Sequence, residues 1–162
     1  MNMDSIAALI PLDMIEAFAA TGWGMVLLPL VLGLLTASMV ALSVPGTIMP
    51  LSFTGGVLMG PAGIFVVAAG ALLGSHVLFL VSRHTLSDWM RRKLGTRLDG
   101  FQEHLGKRGP VYVVGARLTG VPHLLVTAGS AMTPMSARAF GGASLLGMLP
   151  AITVASMAGW AI

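Results

Sequence analysis

The chain has no cysteine, which excludes a disulfide frame and any thiolate metal site. It is also poor in charge: Asp, Glu, Lys and Arg make up 9% of 162 residues, against about 25% in a soluble domain. So few charges cannot cover a globule with polar surface. With 56% hydrophobic residues and a mean hydropathy of +0.89, the chain reads as an integral membrane protein. Carboxylates are scarcer still, six in all, with none between residues 17 and 87. The four histidines are scattered without H-x-x-x-H spacing, so no metal centre is expected, and no cofactor motif is present.

The few charges are unevenly placed. Residues 1–82 hold no Lys or Arg, while seven of the nine basic residues fall in 83–108. The positive-inside rule then places the 83–108 linker in the cytoplasm, facing anionic lipid headgroups. The other two basic residues are Arg117 and Arg138. In so hydrophobic a chain the net charge of +3 reports topology, and nucleic acid is not an expected partner. The acidic start, with Asp4, Asp13 and Glu16, lacks the basic region of a secretory signal peptide.

Apolar periodicity divides the chain into a single membrane domain, 1–162. Residues 5–19 place Ile6, Ile10, Met14 and Phe18 four apart, as in an interfacial helix. Residues 22–42 carry no charge and reach roughly 31 Å as a helix, enough to span. Residues 44–61 are apolar but hold three prolines and four glycines. Split at the centre, their arms of about eight residues give roughly 12 Å of helix each, too short to cross, so a re-entrant hairpin is expected. A span over 62–82 and a basic amphipathic linker over 83–108 follow. A second re-entrant segment, 109–135, precedes a last span, 137–160.

A displacement of 73 residues sets "TGGVLMGPAGIFVVAAGALLG" (54–74) over "TAGSAMTPMSARAFGGASLLG" (127–147), with seven of 21 positions identical. Val44-Pro45 and Val121-Pro122 match at a displacement of 77. Gly60 and Pro61 belong to the matched stretch. Gly70-x-x-x-Gly74 and Ala143-x-x-x-Gly147 are equivalent small-residue patterns that permit close helix packing. Two broken segments, each followed by a span and of opposite orientation, follow the inverted-repeat plan of transporters. The expected breakers are Pro45, Gly46, Pro50, Gly55 and Gly56 in the first unit, and Gly120, Pro122 and Gly129 in the second.

Three stretches carry a family resemblance: "VPGTIMPLSFTGGVLMGPAGIFVVAAGALLGSHVLFLVSR", "GARLTGVPHLLVTAGSAMTPMSARAF" and "GASLLGMLP". In the order of these pieces the chain resembles the DedA family, also called the VTT-domain or SNARE-associated Golgi protein family, and its VTT branch in particular. The resemblance covers roughly residues 40–155. It implies a bacterial inner-membrane protein that moves polyprenyl phosphates or phospholipids across the bilayer, with Arg117 at the position of a loop arginine needed for activity. The chain departs from the family in lacking membrane-embedded carboxylates and a second loop arginine, where Val121, Pro122 and His123 stand.

Arg117 is the strongest candidate site residue. A charge at the bilayer centre costs at least ~2.5–3.5 kcal/mol and usually faces a polar cavity. With His123 and Arg138 it forms the expected lipid-phosphate site, a guanidinium suiting bidentate pairing with phosphate. His76, in the second span, reads as an interhelical hydrogen bonder, and Arg83 as an anchor at a span end. Ser144 in "GGASL" offers a hydrolase nucleophile, but small-residue packing accounts for it, so the chain reads as non-enzymatic. Flippase or scramblase is thus the expected function. The alternatives are a small-ion or solute transporter of the same architecture, or a membrane scaffold, oligomeric through its small-residue stripes.

Overall fold

The computed structural model describes residues 20–85 and 109–162, with Ala17 and Arg92. The interfacial helix expected over 5–19 and the amphipathic linker beyond Thr85 lie outside the described residues. Among those residues there are six helices and no strand. They are α1 (Gly24–Ala41), α2 (Ile48–Met59), α3 (Ala62–His84), α4 (109–118), α5 (His123–Ala131) and α6 (Ala137–Trp160). Three of them, α1, α3 and α6, are long and apolar enough to cross a bilayer.

The chain breaks twice by the same device. After α1, Ser43 takes a left-handed conformation (φ 54°). Its N–H donates to Val40 O at 3.0 Å, and Val44 N–H donates to Met39 O at 3.1 Å. After α4, Gly120 is left-handed (φ 77°), and Val121 N–H donates to Ala116 O at 3.0 Å. Both are Schellman-type endings, which satisfy the last carbonyls and reverse the chain. Each is followed by Val-Pro, and proline cannot resume the helix just ended.

Residues 44–61 do not fold back at their centre, as a re-entrant segment was expected to: Ile48–Met59 is one helix, and the breaks fall between α1 and α2 and between α4 and α5. Pro45, Gly46, Gly120 and Pro122 lie at the breaks, whereas Gly55 and Gly56 are inside α2 and Gly129 inside α5. Pro50 occupies the first turn of α2, where the missing N–H costs nothing. The glycines within α2 serve close packing instead. A Cβ on Gly56 would strike the Ser156 carbonyl, and one on Gly55 would lie 3.2 Å from the Val67 side chain.

Glycine contacts also set the helix directions. Gly70 lies against Gly33, with the Gly33 oxygen 2.5 Å from its would-be Cβ, and Gly74 lies against Ala37. These pairs advance together, so α1 and α3 run parallel in direct contact, and α2 carries the chain back to the start of α3 through the turn at Gly60 (φ 58°) and Pro61. The long helices α3 and α6 are antiparallel. Phe79 stacks on Phe140 at 4.5 Å, while Val67, Ala68 and Ala71 share a core with Met148 and Ile152. Each short helix packs on the other unit's long helix, α2 on α6 and α5 on α3. Trp160 of α6 covers Gly60.

Beside Phe79, Phe140 and Ile152, the interior holds many small and hydroxylated residues. Every buried polar residue among those described is Ser or Thr, while Leu30, Phe65, Leu73 and Val154 face outward. Thr36, Ser52 and Ser130 donate to carbonyls one turn back within their helices, at 2.6–2.7 Å. Large apolar side chains outside and small ones at helix contacts are the distribution a lipid solvent favours. In water such an exposed apolar surface would aggregate.

Candidate functional site

The two breaks face one another. Ser43–Met49 of the first and Gly120–His123 of the second line a common cavity of about 370 Å³. A smaller cavity adjoins it, about 160 Å³, lined by Ile48, Met49, Arg117, Val121, His123, Gly147, Met148 and Ala151. Ile48, Met49, Val121 and His123 belong to both. The N-terminal turns of α2 and α5 therefore open toward the same space. First-turn N–H groups have no partner within their own helix and favour anions.

Arg117 enters this space from the last turn of α4, and its stem crosses Gly147 of α6. A Cβ on Gly147 would lie 2.6 Å from Arg117 Cβ, so only glycine lets the arginine pass. The guanidinium lies against three side chains, none of them acidic. Nη2 donates to Thr127 Oγ1 at 2.9 Å and reaches Ser144 Oγ at 3.5 Å, and Nη1 meets His123 Nδ1 at 2.5 Å. Arg117 Nε and His123 Nε2 are buried without a partner. All six carboxylates of the chain lie outside the described residues. Among the described residues, then, hydroxyls and an imidazole orient Arg117, and no anion neutralises it.

Of the three expected ligand residues, Arg117 and His123 come together and Arg138 does not. Arg138 is exposed on the first turn of α6, nine residues, or roughly 14 Å of helix, from Gly147. His76 donates through Nδ1 to Leu72 O of its own helix at 3.1 Å, not across a helix pair as expected, and its ring packs on Gly141 of α6. Gly70 and Gly74 receive α1, while Gly147 receives α4 and Ala143 is buried beside Val113. Thr127 carries no motif that singles it out, and the sequence around Ser144 suggests a nucleophile rather than a partner of Arg117. The spacing of His123 and Thr127, four apart on one face of α5, was the available signal.

Arg83 also does more than anchor a span. Its Nε donates to Ala131 O at 3.0 Å, and its Nη2 donates to Thr133 O at 2.8 Å and Met135 O at 2.6 Å. The guanidinium stacks on Phe79, 4.4 Å from the ring centre. It thus holds the C-terminal end of α5, where a cation suits the helix dipole. At the matching position of α6, Ser156 Oγ donates to Ser52 O of α2 at 2.9 Å. Each long helix thereby ties down the other unit's short helix.

The VTT domain model matches residues 44–161, from the first break to the end of α6. The chain belongs to the VTT-domain family. It is 30% identical over 108 residues to the uncharacterised protein YqeD of Bacillus subtilis (strain 168). That match covers 64% of this chain and 52% of YqeD, so the chain spans about half the length of this relative. No solved structure matches. Family membership and the three apolar helices make this VTT-domain chain an integral membrane protein.

Proposed function

We propose that the protein moves lipid phosphates, polyprenyl phosphate or phospholipid, between bilayer leaflets as a flippase or scramblase. The observation that carries this reading is Arg117, a cation oriented by neutral groups at a cavity where two helix breaks meet. A guanidinium pairs phosphate bidentately, and the first turns of α2 and α5 add N–H donors. The apolar remainder of the cavity wall suits the lipid's chains. Arg117 is the binding charge, and its insertion cost falls when phosphate takes it as partner.

In this reading the two units are inverted repeats. Each hairpin enters from its own face and delivers its break to the shared cavity. The antiparallel α3 and α6 and the exchange of short helices between units support that arrangement. The linker then lies on the cytoplasmic side of a bacterial inner membrane, against anionic headgroups.

Reconstitution into liposomes with headgroup-labelled lipids tests the proposal. Movement of a labelled phosphate lipid that depends on the protein supports it. Flux of an imposed ion or solute gradient without lipid movement would favour the small-solute transporter, and neither activity would favour a scaffold.

A further inference from the structure

We infer that His123 acts as a neutral donor with its proton fixed on Nε2, and that it forms with Arg117 an anion-binding pair carrying a single positive charge. The inference deepens the lipid-phosphate reading and rests on it for the identity of the anion. Its basis is the contact between Arg117 Nη1 and His123 Nδ1 at 2.5 Å. A guanidinium has five N–H donors and nothing that can accept. The contact is a hydrogen bond only when Nδ1 is bare. A neutral imidazole with a bare Nδ1 carries its one proton on Nε2. An imidazolium would set N–H against N–H and place two cations in contact.

The surroundings agree with a neutral ring. The groups around the pair are the hydroxyls of Thr127 and Ser144, which bond Arg117, and the apolar Ile48, Met49, Val121 and Met148. Arg117 is the charged group facing His123, and no carboxylate of the described residues stands near to stabilise a second positive charge. His123 Nε2 is buried without a protein partner, and its residue lines both cavities. Arg117 Nε–H is buried and unpartnered as well. Two unpaired N–H donors on adjoining side chains suit a ligand group with at least two acceptor oxygens. A buried donor without an acceptor is costly, so a ligand oxygen that reaches either N–H relieves that cost.

The division of labour follows. Arg117 supplies charge, and His123 supplies a directed N–H while its lone pair holds the guanidinium in place. Because Nδ1 is committed to Arg117, His123 does not shuttle protons, and lipid movement does not pass through its titration. Glutamine can replace it, offering one acceptor to Arg117 and one donor to the ligand without an ionisable group.

Two measurements on the full chain test this. The first is ¹⁵N-imidazole NMR in detergent micelles, with His123→Gln identifying the signal of His123. The expected pattern at neutral pH is a bare Nδ1 and a protonated Nε2, with Nε2 shifting when a short-chain polyprenyl phosphate is added. The second is flipping of labelled lipid phosphate in liposomes. His123→Ala should lose on the order of tenfold or more, the effect of removing a hydrogen bond to a charged group, and His123→Gln should recover most of that loss. An Nδ1–H tautomer or an imidazolium at neutral pH would overturn the inference. So would His123→Gln as impaired as His123→Ala, or His123→Ala as active as wild type. If no lipid flips in any variant while phosphate still shifts Nε2, the transport reading fails and the donor role stands.

Discussion

Replacing Arg83 by alanine removes three hydrogen bonds and a stacked cation at once. Ala131, Thr133 and Met135 lose their donor, and Phe79 loses the guanidinium at 4.4 Å. Each carbonyl left unpaired costs about 1–3 kcal/mol, and the stack contributes ~0.5–2 kcal/mol. One side chain serves all three carbonyls, and the turn after α5 can partly re-pair, so these terms do not add. A net destabilisation of about 2–4 kcal/mol is expected, the size seen when a buried network is broken. That is a large share of the roughly 5–15 kcal/mol that holds a typical fold. Arg83→Lys should recover only about a third of it, because an ammonium lacks the planar fork that reaches several carbonyls. Unfolding of purified protein in micelles, by heat or denaturant, gives the value. Arg83→Ala within about 0.5 kcal/mol of wild type, the range of an unremarkable surface change, would refute the clasp.

Other substitutions test the site and the packing separately. Gly147→Ala places a Cβ 2.6 Å from Arg117 Cβ and 3.1 Å from its Cγ. It should cut lipid flipping roughly tenfold while costing about 1–3 kcal/mol in unfolding assays. Thr127→Val deletes the acceptor at 2.9 Å with little change of shape; flipping should fall about tenfold, equivalent to ~1.4 kcal/mol, and Thr127→Ser should restore it. Gly56→Ala drives a methyl into the Ser156 carbonyl and should lower stability by at least about 2 kcal/mol. Gly142→Ala, with nothing within 4 Å, should be neutral or gain up to ~1 kcal/mol from helix propensity.

The spans were legible because a bilayer demands long apolar runs. The last span expected over 137–160 coincides with α6, and the Val-Pro pairs mark both breaks. Glycine was ambiguous. In an apolar chain it serves a turn or a close helix contact equally well, and only the partner decides. Gly56 lies against Ser156, a hundred residues on, and no local pattern carries that information. Ser43 was illegible for the opposite reason: its left-handed φ is what glycine usually supplies, whereas Gly46, left-handed as well, carries the signal openly. Arg117 stood out because an unpaired charge in an apolar run is costly wherever it points. Its partners Thr127 and Ser144 are ordinary helix residues until α4, α5 and α6 converge. The carbonyl contacts of Arg83 were not legible, because a cation at a span end already has a sufficient explanation in membrane topology.

Lipid flipping by Arg117 variants isolates the role of the guanidinium. Purified wild type, Arg117→Lys and Arg117→Ala would be reconstituted at equal density in liposomes carrying a headgroup-labelled lipid phosphate, and the rate of label movement compared. Full loss is expected in Arg117→Ala and partial activity in Arg117→Lys, which keeps the charge but not the bidentate fork. Arg117→Ala protein that is folded and flips lipid at the wild-type rate would contradict that role.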